Sequence, residues 1–264
     1  MEALQDRKSK SSTKVGKCEL CQTDELELQN SHFIPKFVYA RLNLVKKTGT
    51  RIEISDNKLR LYNLDTQITG YKFCAECEKK LDQGGENYFA KVGIPSKQSR
   101  IPILWEKVKQ HVTSDKCRAL PDQITGIDSK QIYHFALGLF WRATLSWDKH
   151  QAITIPVGVT EEIRKYLDKG GDFPVNVQIG VFLDMENERY SVALPSMKGG
   201  TIWFTIMQLD FILYVDCHTV SSGNEILPLF YSIDSAVSNC HAKIAEQIYE
   251  DSTPHGKVRK SFSI

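Results

Sequence analysis

No window of about 18 residues in this 264-residue chain is both apolar and free of charge, so the sequence offers no transmembrane helix. The opening residues, MEALQDRKSKSSTKVGK, also lack the apolar stretch of a secretory signal. An excess of one charge is missing too. Lys plus Arg number 34 and Asp plus Glu 32, and the resulting +2 gives no global field of the kind that marks a nucleic-acid binder. Any basic surface must therefore be local. Cysteine is too sparse for a disulfide scaffold, and its count of seven is odd. A chain that is 41% hydrophobic and 25% charged is not collagen, coiled coil or wholesale disorder. It has room for one large domain, or for a small module joined to a medium one. Together these features predict a soluble, cytoplasmic protein with no membrane partner.

Residues 1–16 carry Arg7, Lys8, Lys10 and Lys14 among serines, with no periodic apolar positions, and read as a flexible basic tail. Residues 17–95 read as a small module with a long polar middle around 46–57. A linker is expected over 93–102, where Gly93, Pro95, Ser96, Ser99 and Pro102 cluster. A second, α+β domain is expected over 103–252, followed by a polar tail at 253–264. In this second part an Asp128 or Ser129 cap precedes Ile132, Phe135, Ala136, Leu139, Phe140, Ala143 and Trp147, the spacing of an amphipathic core helix. Thr160-Glu161-Glu162 predicts the start of a short helix that stops at Gly170. The runs 175–183, 189–194 and 201–215 predict an antiparallel meander, the last being long enough for two strands. Asp234 would cap a final helix.

Four of the cysteines form two pairs, Cys18-Glu19-Leu20-Cys21 and Cys74-Ala75-Glu76-Cys77. In each pair the two-residue spacer lets a tight turn aim both sulfurs at one tetrahedral ion, so two pairs complete a four-sulfur zinc site. Closing the 52-residue loop between Cys21 and Cys74 costs about 3.5 kcal/mol plus a constant. A structural zinc contributes about 10–16 kcal/mol, which outweighs it. Cys117, Cys217 and Cys240 have no ligand spacing or catalytic partner and read as packing residues.

Between the pairs lies Asn30-Ser31-His32-Phe33-Ile34-Pro35-Lys36. The second pair continues as Cys77-Glu78-Lys79-Lys80, with Glu86-Asn87-Tyr88-Phe89 farther on. Over roughly residues 17–91 this succession resembles HNH-type endonucleases of the zinc-containing, treble-clef kind. The resemblance implies a treble-clef or ββα-like fold and metal-dependent cleavage of DNA, with RNA not excluded, as an effector in bacterial defence. His32 matches the family's first histidine, which implies a general base; a neutral imidazole can take a proton from water near cellular pH. Glu78 stands where many members carry the last metal-binding histidine, and a carboxylate there suits Mg2+ or Mn2+. Ser31 stands where members often have Asp, and the interval before Cys74 lacks the family's Asn. Glu86 and Asn87 are the residues that would restore an oxygen site.

Other readings of the same residues stay open. His32 also fits a capping or packing role or zinc ligation, Glu78 an acidic first turn of a helix, and Glu86 a salt-bridging carboxylate. Lys36, Arg41, Lys46 and Lys47 fit a phosphate grip or a solvated helix face. Arg142, within the long helix, fits a carboxylate anchor, a phosphate contact or a snorkelling side chain. The alternative function is a catalytically inactive, zinc-dependent adaptor for nucleic acid or protein. Residues 103–252 would then serve as scaffold, as partner surface or as a homo-oligomer contact.

Overall fold

The computed structural model describes residues 14–45, 50–55, 58–63, 67–95, 101–111, 118–119, 124–148, 150, 152–183, 191–198, 201–215 and 229–232. Lys46, Lys47, Cys117, Cys217, Cys240, the helix expected after Asp234 and the tail at 253–264 lie outside the described residues. The architecture is mixed α+β. Among the described residues no helix is long and apolar enough to cross a membrane.

The chain begins with β1 (Lys14–Gly16), β2 (Leu26–His32) and α1 (Lys36–Val45), then β3 (Thr50–Ser55), β4 (Lys58–Asn63) and β5 (Thr69–Cys74). Lys14–Gly16, read from the sequence as the end of a tail, pair antiparallel with Leu26–Leu28. Strands β1, β2 and β5 make a three-stranded antiparallel sheet in that order. A bulge between Gln29 and Asn30 shifts the β2–β5 register. Strict alternation from buried Leu28 would turn Asn30 and His32 inward; the extra residue reverses the phase, burying Ser31 and leaving His32 half-exposed. The Ser31 hydroxyl accepts from Phe73 N–H at 3.3 Å and donates to the Gln29 carbonyl at 3.3 Å, stitching the irregular register. The Ser31 hydroxyl is thus occupied by backbone.

Helix α2 (Ala75–Leu81) follows β5 directly and runs through a π-helical turn (Asp82–Glu86) into α3 (Asn87–Val92). Helix α4 (Ile103–His111) and the short β6 (Arg118–Ala119) lead to α5 (Ser129–Ala143), the core helix expected from the periodicity. Asp128 caps α5: its Oδ1 accepts from Gln131 N–H at 3.2 Å, while its own N–H donates to the Tyr88 hydroxyl at 2.7 Å. Helix α6 (Val157–Lys169) starts one turn earlier than its sequence suggests. Thr160 is no cap there; its hydroxyl bonds back to the Ile155 and Pro156 carbonyls, both at 3.3 Å. Gly170, at φ 69°, ends the helix as expected.

Strands β7 (Val177–Leu183), β8 (Ser191–Lys198), β9 (Thr201–Ile206), β10 (Leu209–Val215) and β11 (Leu229–Ser232) complete the larger sheet, in the order β4-β3-β8-β9-β10-β7-β11-β6. The run 201–215 does split into two strands. The meander is β8-β9-β10; β7 pairs with β10, not with its sequence neighbour β8. The sheet is antiparallel except for the β3–β8 and β11–β7 pairs. Through β3, residues from the polar middle between the two Cys pairs add to the sheet of the second half.

Helix α5 is buried on nearly all sides. Phe135 stacks on Phe89 of α3 with ring centroids 3.9 Å apart and meets Phe211 of β10 edge-on at 6.0 Å. Phe140 packs on Phe204, which itself stacks on Phe211 at 4.5 Å. The apolar core therefore runs without a break from Cys18 and Leu20 to Leu213. Gly85 in the π turn makes the approach to α5 possible, since a Cβ there would lie 2.4 Å from the Gln131 carbonyl oxygen and 2.6 Å from Phe135 N. Those are backbone atoms of a helix that cannot yield locally. Gly85→Ala is expected to lower the urea midpoint by more than Asp128→Ala, whose lost cap costs about 1 kcal/mol. Equilibrium denaturation of the two variants checks this ranking.

Candidate metal centre

The first cysteine pair sits in the turn between β1 and β2. Cys18 N–H donates to the Thr23 carbonyl and Gln22 N–H to the Cys18 carbonyl, each at 2.9 Å, and Gln22 takes a left-handed φ of 61°. This knuckle docks on β5 through Glu19 N–H, which donates to the Lys72 carbonyl at 3.0 Å. Cys74 closes β5 as the N-cap of α2, and Cys77 lies in the first turn of that helix. Strand pairing sets Leu28 opposite Cys74, so the β2–β5 ladder carries one pair to the other.

All four sulfurs lie within 4.8 Å of one another. They are free cysteines. A tetrahedral ion with bonds of about 2.3 Å asks for sulfur separations near 3.8 Å, which falls within that limit. Among the described residues no other group of three or more His, Cys, Asp or Glu side chains is gathered closely enough to hold a metal.

The protons divide unevenly over the cluster. Cys18 is lowered, chiefly because the Cys77 thiol hydrogen-bonds to its sulfur, with help from the backbone N–H groups of Cys74, Cys21 and Leu20. Cys77 is raised by the same bond and by burial, and Cys74 is raised by burial first. Four thiolates this close would repel one another. A divalent ion removes that repulsion and allows the remaining protons to leave.

The other residues singled out in the sequence are dispersed. His32 ends β2, with its Nε2 2.8 Å from the Gln67 carboxamide oxygen, a contact in which Nε2–H donates. Glu78 lies in the first turn of α2; its Oε1 is buried, and among the described residues nothing donates to it. Glu86 points inward from the π turn and pairs with Arg142 of α5 at 2.5 Å, with the two side chains 12% and 3% exposed. Burial raises the Glu86 carboxyl, Arg142 opposes this, and the nearby charges of Asp82 and Glu78 add to the rise. Asn87, beside it in sequence, is exposed. Lys36 is exposed and Arg41 half-buried; five residues apart on α1, they point about 140° from each other and share no face. Lys72 lies over the Trp147 ring at 5.8 Å, and Lys80 is paired with Asp168 at 2.6 Å.

Sequence reasoning missed Arg164 of α6. Its guanidinium donates to the Leu20 carbonyl inside the Cys18–Cys21 turn and is held by both Glu161 carboxylate oxygens, at 2.8 and 2.7 Å. The spacing of Glu161 and Arg164 shows their mutual pair, but nothing in it points to a turn 144 residues away. No protein-family model matches the chain, and neither does any curated protein or solved structure.

Two outcomes follow. Purified protein is expected to carry one transition-metal ion per chain, to lose it on acidification because protons compete for the thiolates, and to lose it in Cys74→Ser; elemental analysis against pH checks this. Arg142→Met, which strands a buried carboxylate, is expected to cost about 3–5 kcal/mol. The double variant Glu86→Gln/Arg142→Met should recover most of that loss in urea denaturation.

Proposed function

We propose that the four cysteines hold a structural zinc ion, that the β2–β5–α2 unit built on it is a ββα element of treble-clef, HNH-like type, and that the protein hydrolyses phosphodiesters in nucleic acid. The observation that carries this reading is the convergence of the four sulfurs at the root of that unit, with His32 ending its first strand and Glu78 on its helix. The donor set fits zinc, since four soft thiolates in a compact group favour it over hard ions.

The roles follow from the side chains. With Nε2–H held by Gln67, His32 offers Nδ1 to a water proton. The orphaned Oε1 of Glu78 suits one bond to Mg2+ or Mn2+, ions that commonly take one or two carboxylates and fill the rest of their shell with water and substrate phosphate. Bound there, such an ion would supply Lewis-acid stabilisation of the leaving oxygen. DNA is the preferred substrate and RNA the other. A role in bacterial defence and action in the cytoplasm belong to the same proposal.

A second reading draws on a specific observation. Glu86 is spent on Arg142, Asn87 faces solvent, and among the described residues no oxygen-rich donor group accompanies His32. A zinc-dependent adaptor that binds nucleic acid or protein without cutting it fits those facts. A divalent-ion titration separates the two. Hydrolysis predicts plasmid nicking that needs Mg2+ or Mn2+ and falls at least a hundredfold in His32→Ala with zinc content unchanged, the range of a lost general base. Salt-sensitive, metal-independent affinity without cleavage would establish the adaptor instead.

A further inference from the structure

A polar face of α6, separate from its buried stripe of Val159, Ile163, Tyr166 and Leu167, carries Glu161, Arg164 and Asp168 at helical spacings of three and four, and through Arg164 and Asp168 it meets the metal-binding turn and α2. Arg164 reaches the Leu20 carbonyl between Cys18 and Cys21, and the bidentate grip of Glu161 fixes its plane. Asp168, one turn farther on, has a side chain only 7% exposed and holds the Lys80 ammonium at 2.6 Å, three residues beyond Cys77 on α2. Two cations on two helices thus flank the sulfur cluster, each steered by a carboxylate of α6.

A divalent ion in four thiolates leaves a net charge of about −2, and a half-buried dianion is costly unless cations or N–H donors face it. We propose that Arg164 and Lys80 are the counter-charges of the zinc–thiolate centre, so that α6, from the second half of the chain, completes a metal site whose ligands all come from the first. This rests on the zinc reading above. The electrostatics agree in direction. Arg164 is held in its protonated form chiefly by Glu161, with Asp168 and Cys21 adding to it; Lys80 is held chiefly by Asp168, with smaller contributions from Cys77 and Cys21. Arg164 does two jobs at once, since its hydrogen bond also fixes the peptide that orients Cys21.

The test uses the full chain, zinc alone as the ligand and a chromophoric chelator as competitor. Arg164→Gln keeps a hydrogen-bond donor and removes the charge; Arg164→Lys keeps the charge; Lys80→Met removes the second cation, at a side chain 44% exposed, and Asp168→Asn is added to it so that the 7%-exposed carboxylate is not left unpaired. Loss of an outer-shell partner typically weakens a metal site by about 10–100-fold. Zinc affinity is expected to drop about tenfold or more in Arg164→Gln, to return close to wild type in Arg164→Lys, and to drop by less in the double variant Lys80→Met/Asp168→Asn, with zinc transfer to the chelator accelerated in the same order. Wild-type affinity in Arg164→Gln overturns the proposal, as do equal losses in Arg164→Gln and Arg164→Lys, which would indicate shape and not charge. If Arg164→Gln does not fold, an unchanged Lys80→Met/Asp168→Asn overturns it by itself. A wild-type chain that binds no zinc sinks the underlying reading as well, whereas one that binds zinc with no loss in any variant leaves that reading standing and removes only this inference.

Discussion

Four sulfurs drawn from two turns 52 residues apart cannot share a space less than 5 Å across unless the strands between them are in register, and most of the first half of the molecule follows from that requirement. The β2–β5 ladder sets Leu28 opposite Cys74, the Glu19–Lys72 hydrogen bond seats the first turn on β5, and α2 starts at Cys74 itself. The hydrogen bond to Cys18 and burial raise Cys77, so protons and a cation compete for the same sulfurs, which ties metal binding to pH.

A second constraint joins this unit to the rest of the chain. Gly85 lets the π turn lie against the α5 backbone, Arg142 meets Glu86 across the same contact, and the Phe89–Phe135 stack extends it into the sheet through Phe211. Arg164 makes a separate tie on the other side, to the cysteine turn. An ion pair as buried as Glu86–Arg142 adds little net stability over an apolar pair of the same shape, but either partner alone is a heavy liability.

The pair also bears on chemistry. A carboxylate bound to a guanidinium is not free to ligate a cation, so Glu86 contributes structure, whereas the buried Oε1 of Glu78 has no donor among the described residues. Ser31 tells a similar story, because its hydroxyl serves the β-bulge that turns His32 outward. Glu86, read for its ligand chemistry, is thus committed to the core, and Ser31 to the backbone that positions its neighbour.

Local patterns in the sequence determined the two Cys turns, the α5 helix with its Asp128 cap, the Gly170 stop and the strands between 177 and 215, because each depends on residues within one or two turns of each other; β6 and β11 are not among them. Tertiary structure decided the rest. The β10–β7 pairing, the joining of β3 to β8, the burial of Glu86 against Arg142 and the reach of Arg164 to Leu20 link residues 26 to 144 positions apart, and no periodicity encodes which distant partner is chosen. The orientation of His32 lies between the two. Its place at a strand end is local, but the side it faces was fixed by a one-residue bulge whose energy depends on Phe73, a strand away.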